Sequence, residues 1–144
     1  MTAFTIEEGR TGDVIIMLRE IPEFDSTPSL NEIMAKIGSV RHLVLTAYVE
    51  GKPAGFKIGY ERGGTFYSWL GGVLPAYRRL GVAGRLAEAQ EEWAKTHGYK
   101  TRWMKTRNRF PDMLMMAVGR GFQITGFDPR DEIGEHRIVL TKSL

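Results

Sequence analysis

The residues best placed to do chemistry form one run, Val73-Leu74-Pro75-Ala76-Tyr77-Arg78-Arg79-Leu80-Gly81-Val82-Ala83-Gly84-Arg85-Leu86. An apolar stretch ends there in a short basic turn that opens directly into an amphipathic helix. The first amides of a helix lack intrahelical partners and sit at the positive end of its dipole, so they attract an anion. Gly81 and the small Ala83 let phosphate oxygens approach the main chain, while Arg78, Arg79 and Arg85 add fixed positive charge. The turn reads as a cradle for a diphosphate. Its spelling is not that of two better-known phosphate loops. Gly84 is followed by Arg85 and Leu86 rather than by Lys and Ser or Thr, and Gly81-Val82-Ala83-Gly84 lacks GxGxxG spacing. The sequence thus argues against a P-loop nucleotide hydrolase and against a Rossmann dehydrogenase.

Elements to position this turn follow from the hydrophobic pattern. Residues 3–7 alternate as a strand, and Val14, Ile15, Leu18 and Ile21 form a helical stripe that Pro22 ends. Leu30, Ile33, Met34 and Ile37 give a second helix, started near Pro28 and Ser29 and stopped by Gly38. Residues 42–49 and 54–60 pair as a hairpin about Glu50-Gly51-Lys52-Pro53, and Arg62-Gly63-Gly64 turns into a third strand over 65–74. Gly71-Gly72 in that strand invites a bulge or, equally, a plain kink. The helix over about 81–97 points Leu86, Ala89, Trp93 and Ala94 inward, with Glu88, Glu91, Glu92 and Lys95 outward. Residues 100–106 then read as a strand, 110–119 as a helix, and 122–127 and 135–141 as strands. The strand–helix–strand succession over 66–106 makes a crossover, so those two strands run parallel within an otherwise antiparallel sheet.

The segment Arg78-Arg79-Leu80-Gly81-Val82-Ala83, between an apolar strand with its proline and a long helix, and followed later by Gly121-Phe122, resembles the GNAT superfamily of N-acetyltransferases. The likeness runs from about Thr5 to the C-terminus. It implies an α/β (α+β) fold: a mixed, mostly antiparallel sheet of six to seven strands with one parallel, splayed pair, and about four helices on both faces. It implies acetyl-CoA as co-substrate, its pyrophosphate on the turn and its pantetheine arm in the V between the parallel strands. Carried onto this chain, the cofactor-binding residues are Val73, Leu74, Arg78, Arg79, Leu80, Gly81, Val82, Ala83, Gly84 and Asn108. Asn108 reads equally as the N-cap of the next helix. Main-chain amides near Gly72, Val73 and Leu74 suit the oxyanion, with Val73 the donor assigned. The tyrosine that many members place four residues before Gly-Phe is here Ala117, and Asn108 lies two residues further from Gly121 than usual, which marks a variant subgroup. Tyr67 or Tyr77 then stands in as acid, with Tyr67 the first choice although its strand position suits packing better, or solvent protonates the thiolate. Glu23 and Asp25 in the early loop, Glu61, or ordered water serve as base.

The acceptor implied is a small-molecule or peptide amine, and a cation would suit Glu23 and Asp25. With 144 residues, 42% hydrophobic, the chain supports one domain, and without cysteine a thiol nucleophile or acyl relay is excluded. A reducing cytoplasm is compatible with that composition. No secretory leader or spanning apolar run is apparent, so no membrane partner is expected. His42, His97 and His136 are too scattered for a metal constellation, and no metal is assigned. Met104, Met113, Met115 and Met116 read as core filling or as a soft wall about an apolar group. The formal charge of +3 needs no nucleic acid to explain it. Two alternatives remain: a module that binds acetyl-CoA without turnover, and an RNA-binding domain using the basic edge Arg102, Lys105, Arg107 and Arg109. A homodimer is compatible with either enzyme or module.

Overall fold

Short glycine turns and long alternating strands organise the computed structural model, which describes residues 3–24 and 26–144. The elements run β1 (Phe4–Glu8), α1 (Thr11–Glu20), α2 (Leu30–Ile37), β2 (His42–Val49), β3 (Lys52–Arg62), β4 (Thr65–Val73), α3 (Val82–Thr96), β5 (Thr101–Arg107), α4 (Pro111–Gly119), β6 (Gln123–Asp128) and β7 (Arg137–Ser143). The seven strands form one sheet ordered β1-β2-β3-β4-β5-β7-β6, antiparallel throughout except for the β4–β5 pair. The fold expected from the sequence is therefore the fold observed. Boundaries moved by one or two residues at most elements, and Pro75–Tyr77 adds a short 3-10 turn between β4 and the phosphate-type loop.

Local chemistry explains the helices. Ser29 and Glu32 form a reciprocal capping box at the start of α2, at 3.1 and 3.3 Å, satisfying two orphan amides. The α1 and α2 helices bury Val14, Met17, Leu18, Ile33 and Ile37 against Phe56, Ile58 and Tyr60 of β3. The α3 helix covers the opposite face through Val82, Leu86 and Ala94, packed with Leu43, Leu45, Ala47 and Phe66. On that same face α4 meets Met104, Phe122 and Leu140 through Met113, Leu114 and Ala117. Met115 instead faces solvent.

The irregularity that matters lies in β4. Parallel pairing with β5 is confined to Phe66–Arg102, Tyr67–Trp103 and Ser68–Met104. Beyond Ser68 the two strands part, and β4 continues to Val73 with no strand on its β5 side. The register against β3 shifts there too, since Gly59 pairs with Ser68 but Ile58 pairs with Leu70, leaving Trp69 as the extra residue. Of the bulge or kink that Gly71-Gly72 left open, the strand has a bulge, and it falls at Trp69 instead. Gly71 and Gly72 pair regularly with Lys57 and Phe56. Space at 72 is tight, since a Cβ there would lie 2.6 Å from Ile21 Cδ1 and the end of that side chain would have to move.

Candidate active site

A row of main-chain donors begins on the free edge of β4. The Leu74 amide donates to the Ala54 carbonyl at 2.8 Å, and amides alternate sides along a strand, so Val73 and Gly71 direct theirs toward the gap. The row continues through the turn. Arg79 and Gly81 both adopt left-handed backbone, at φ of 66° and 87°, which swings the chain into α3. The first intrahelical bond runs from Arg85 N–H to the Gly81 carbonyl at 3.1 Å, so the amides of Val82, Ala83 and Gly84 have no helical partner. Space before Gly81 is open, and no side chain caps the helix. This corner can accept an oxyanion group, and the edge leading to it can accept amide or carbonyl groups of an extended ligand.

Arg78 does a different job from the one its charge suggested. Its Nη1 and Nη2 each donate to the Glu23 carboxylate at 2.8 Å, and its Nε donates to the Val73 carbonyl at 3.1 Å. Its guanidinium therefore fixes the β4 edge and the α1–α2 loop, leaving Arg79 as an exposed cation at the turn. Glu23 changes accordingly. Its bidentate bond to Arg78 holds its carboxyl below the usual carboxylate range, which makes it a poor proton acceptor. Glu61, another candidate base, accepts the Tyr99 hydroxyl at 2.7 Å, and Asp25 lies outside the described residues.

Tyr67 does not meet an acid's geometry. It sits where β4 and β5 are still paired, about 20 Å along the strand from Val73 at roughly 3.3 Å per residue. Its ring is packed against Tyr60 and Trp103 on the α1/α2 face, with centroids 5.5 and 4.3 Å away, and burial raises its phenol above the ordinary value. Tyr77 packs toward the α3 core. Asn108 is not a helix cap either, since α4 begins at Pro111 behind Phe110. Its Nδ2 donates to the Ile133 carbonyl at 3.2 Å, pinning the segment before β7 to the end of β5.

Several polar groups that the sequence pattern had placed in solvent are buried between α3, α4 and the sheet. Arg102, only 1% exposed, donates through Nε to Gln90 Oε1 at 2.9 Å and lies 3.8 Å from Glu91. Glu91 points toward β7 and pairs with Lys142 at 2.7 Å rather than with Lys95. Arg120, from the end of α4, reaches across to Glu88 at 3.7 Å and comes within 3.6 Å of where a Gly84 Cβ would stand. Gln90 Nε2, Arg102 Nη1 and Arg120 Nε are buried donors without an acceptor. The former basic edge is thereby divided: Arg102 turns inward, while Arg107 and Arg109 lie 3.6 and 3.5 Å from Glu135. Among the described residues no helix is long and apolar enough to cross a membrane.

Comparison with known proteins places this arrangement. The acetyltransferase (GNAT) family model matches residues 14–113. No curated protein matches the sequence significantly. Among solved structures, Ard1 from Thermoplasma volcanium superposes with a TM-score of 0.85 at 18% identity, covering 99% of this chain and 98% of that one. The ribosomal-protein-S18-alanine N-acetyltransferase of Escherichia coli gives 0.81 at 20% identity, over 98% and 94%. A GNAT family acetyltransferase from Elizabethkingia anophelis, solved with acetyl-CoA bound, gives 0.73 at 19%, over 98% of each chain. At these identities the likeness is one of fold.

Proposed function

The chain belongs to the GNAT acetyltransferase family, and from that premise we propose that it moves an acetyl group from acetyl-CoA directly to a primary amine in a ternary complex. One observation carries the reading. The free amides of Gly71 and Val73 run on into the unpartnered amides of the turn that opens α3, forming one continuous track beside the β4–β5 gap. The diphosphate rests on Val82, Ala83 and Gly84 with Leu80, Gly81 and the Arg79 charge around it. The pantetheine arm follows Val73 and Leu74. The open space before Gly81 fits such a ligand.

The thioester supplies an activated acyl group, and the protein supplies placement. Aligned, bound reactants gain up to roughly 7–11 kcal/mol from positioning. An amide of Val73 or Gly71 aimed at the carbonyl oxygen adds about 3 kcal/mol by meeting charge as it develops. The amine enters from the α1/α2 face, where Trp69, Leu70 and Trp103 border the gap. With Glu23 held by Arg78, water carries the amine's proton away.

A screen of amines and peptides with acetyl-CoA, read as release of free thiol, tests turnover and acceptor together. Binding without thiol release from any acceptor would leave the chain as a module that only holds the thioester. The turn itself is tested by Gly81→Val, which strains a left-handed position by roughly 1–2 kcal/mol as well as crowding the anion. Gly84→Val crowds the same corner from within the helix without that strain. Calorimetry should show both losing at least about tenfold in acetyl-CoA affinity, a loss of about 1.4 kcal/mol. Unchanged binding in both would remove the turn from the site.

A further inference from the structure

Lys57 occupies the middle of β3, between Phe56 and Ile58, which face α1 and α2. Alternation sends its side chain to the α3/α4 face, where it is 9% exposed. It pairs in register with Gly71, and a Cβ at Gly71 would stand 3.5 Å from its Nζ. The ammonium thus lies over a residue whose amide points into the β4–β5 gap. No carboxylate among the described residues pairs with it. Glu91 on α3 is taken by Lys142 of β7 and Arg102, and Glu88 by Arg120 and Arg85. The charges that do bear on Lys57 are cations, Arg102 from β5 and Arg120 from the end of α4. Burial above all, and then these cations, bring it down to about 7. A buried, unpaired lysine on a central strand weakens a fold, and nothing in the packing requires it.

We propose that Lys57 is the proton donor to the departing thiolate, acting from the α3/α4 face beside the Gly71 amide. The proposal rests on the acetyl-transfer reading above. The amine lone pair forms the C–N bond to the thioester carbonyl carbon. The C–S bond then breaks with its electron pair on sulfur, and sulfur takes one proton from the Lys57 ammonium. The amine's surplus proton leaves to water, and water returns a proton to Lys57. An ordinary lysine, at about 10.4, holds its proton more tightly than an alkyl thiol does, for which the cysteine value of about 8.5 is the lower guide. From about 7 the transfer runs downhill, while a large share of the ammonium persists at neutral pH. The acid that Ala117 cannot provide on α4 is therefore provided from β3.

The test uses the full chain with Lys57→Met and Lys57→Arg. In the unliganded protein, nuclear magnetic resonance titration of lysine side chains should show one group with a midpoint near 7 that disappears in Lys57→Met. Lys57→Met should bind acetyl-CoA within about threefold of wild type by calorimetry and lose about 100-fold in kcat. The wild-type kcat should fall as pH rises through the Lys57 titration, a limb absent from the variant. Lys57→Arg should not restore turnover, because guanidinium does not release its proton. Every lysine titrating near the ordinary value of about 10.4, or a Lys57→Met enzyme with wild-type kcat and pH profile, overturns the proposal. The titration needs only wild-type protein, so a poorly folding variant does not shield the idea. Wild-type protein that fails to bind acetyl-CoA would show the different failure, that of the acetyl-transfer reading, and would take this proposal with it.

Discussion

Successive residues of β3 serve opposite faces of the sheet, and the two faces are built to different ends. Toward α1 and α2 stand Phe56, Ile58 and Tyr60, joined by Tyr67 and Trp69 of β4 in an aromatic wall. Toward α3 and α4 stand Gly55, Lys57 and Gly59. A Cβ at Gly55 would come within 3.1 Å of Val82 and 3.3 Å of Leu86, and one at Gly59 within 2.4 Å of Phe66 and 2.8 Å of Gln90. The glycines let α3 lie directly on the strand at two points, with Lys57 between them. Its side chain runs out sideways to Gly71 at the edge of the gap. One face holds the fold together through bulk, and the other gives up bulk to bring α3, with the turn that opens it, close to the same strand.

Substitution at adjacent positions can break that contrast. Phe56→Ala, at a fully buried site, should cost about 3–5 kcal/mol in chemical denaturation. A loss under about 1 kcal/mol would show that the aromatic wall is not the structural face. Gly59→Ala should destabilise by roughly 1–3 kcal/mol, because the Phe66 ring and Gln90 must shift together to admit a methyl group. A neutral result would mean that α3 is not seated on the strand. Lys57→Met should act in the opposite sense and stabilise by several kcal/mol at pH 7, since it removes a buried unpaired charge and keeps the volume. The pH dependence has a definite sign. Lys57 binds its proton less well folded than unfolded, so between about 7 and 10.5 the unfolded chain holds more protons and wild-type stability climbs with pH. The advantage of Lys57→Met should be full below pH 7 and close as pH rises toward 10.5. A gap that does not change with pH would leave Lys57 without the perturbation ascribed to it.

The shape of the turn before α3 was legible in the sequence because it is local: Gly81, the small Ala83 and an ensuing helix define free amides wherever the chain carries them. The parallel pair was legible for the same reason, being dictated by a strand, a helix and a strand in succession. What escaped the reading depended on contacts between distant segments. The bulge follows from the register between β3 and β4, so it falls at Trp69, although two glycines nearby advertise weakness. Arg78 meets Glu23 across 55 residues of chain, a pairing that no local pattern announces. Arg102 was grouped with Lys105, Arg107 and Arg109 by proximity, whereas the period of two puts it with Met104 and Thr106 on the inner face. The period of two also held the clue to Lys57. A lysine flanked by Gly55 and Gly59 on its own face belongs to a surface that a helix covers closely, and glycine at those spacings was the available signal.

The smallest predicted effect concerns the link between the two faces. Glu23 belongs to the loop that follows α1, and Arg78 to the turn that leads into α3, so their bidentate pair ties the side proposed for the acceptor to the turn proposed for the cofactor. Both side chains are about 40% exposed, and Glu23→Gln should cost about 1 kcal/mol or less at pH 7. Folding lowers the Glu23 titration, so the contribution is present above the ordinary carboxylate range and is lost as pH falls through the folded value. Wild type and Glu23→Gln should therefore converge in stability as pH falls below the ordinary carboxylate range. Kinetically the variant separates the two sides. Acetyl-CoA affinity should stay within about twofold, since Arg78 retains the Val73 carbonyl, while KM for the acceptor amine rises several-fold as the loop loosens. A rise in the thioester constant with no change for the amine would reverse the assignment of the faces, because the tether would then serve the turn rather than the loop.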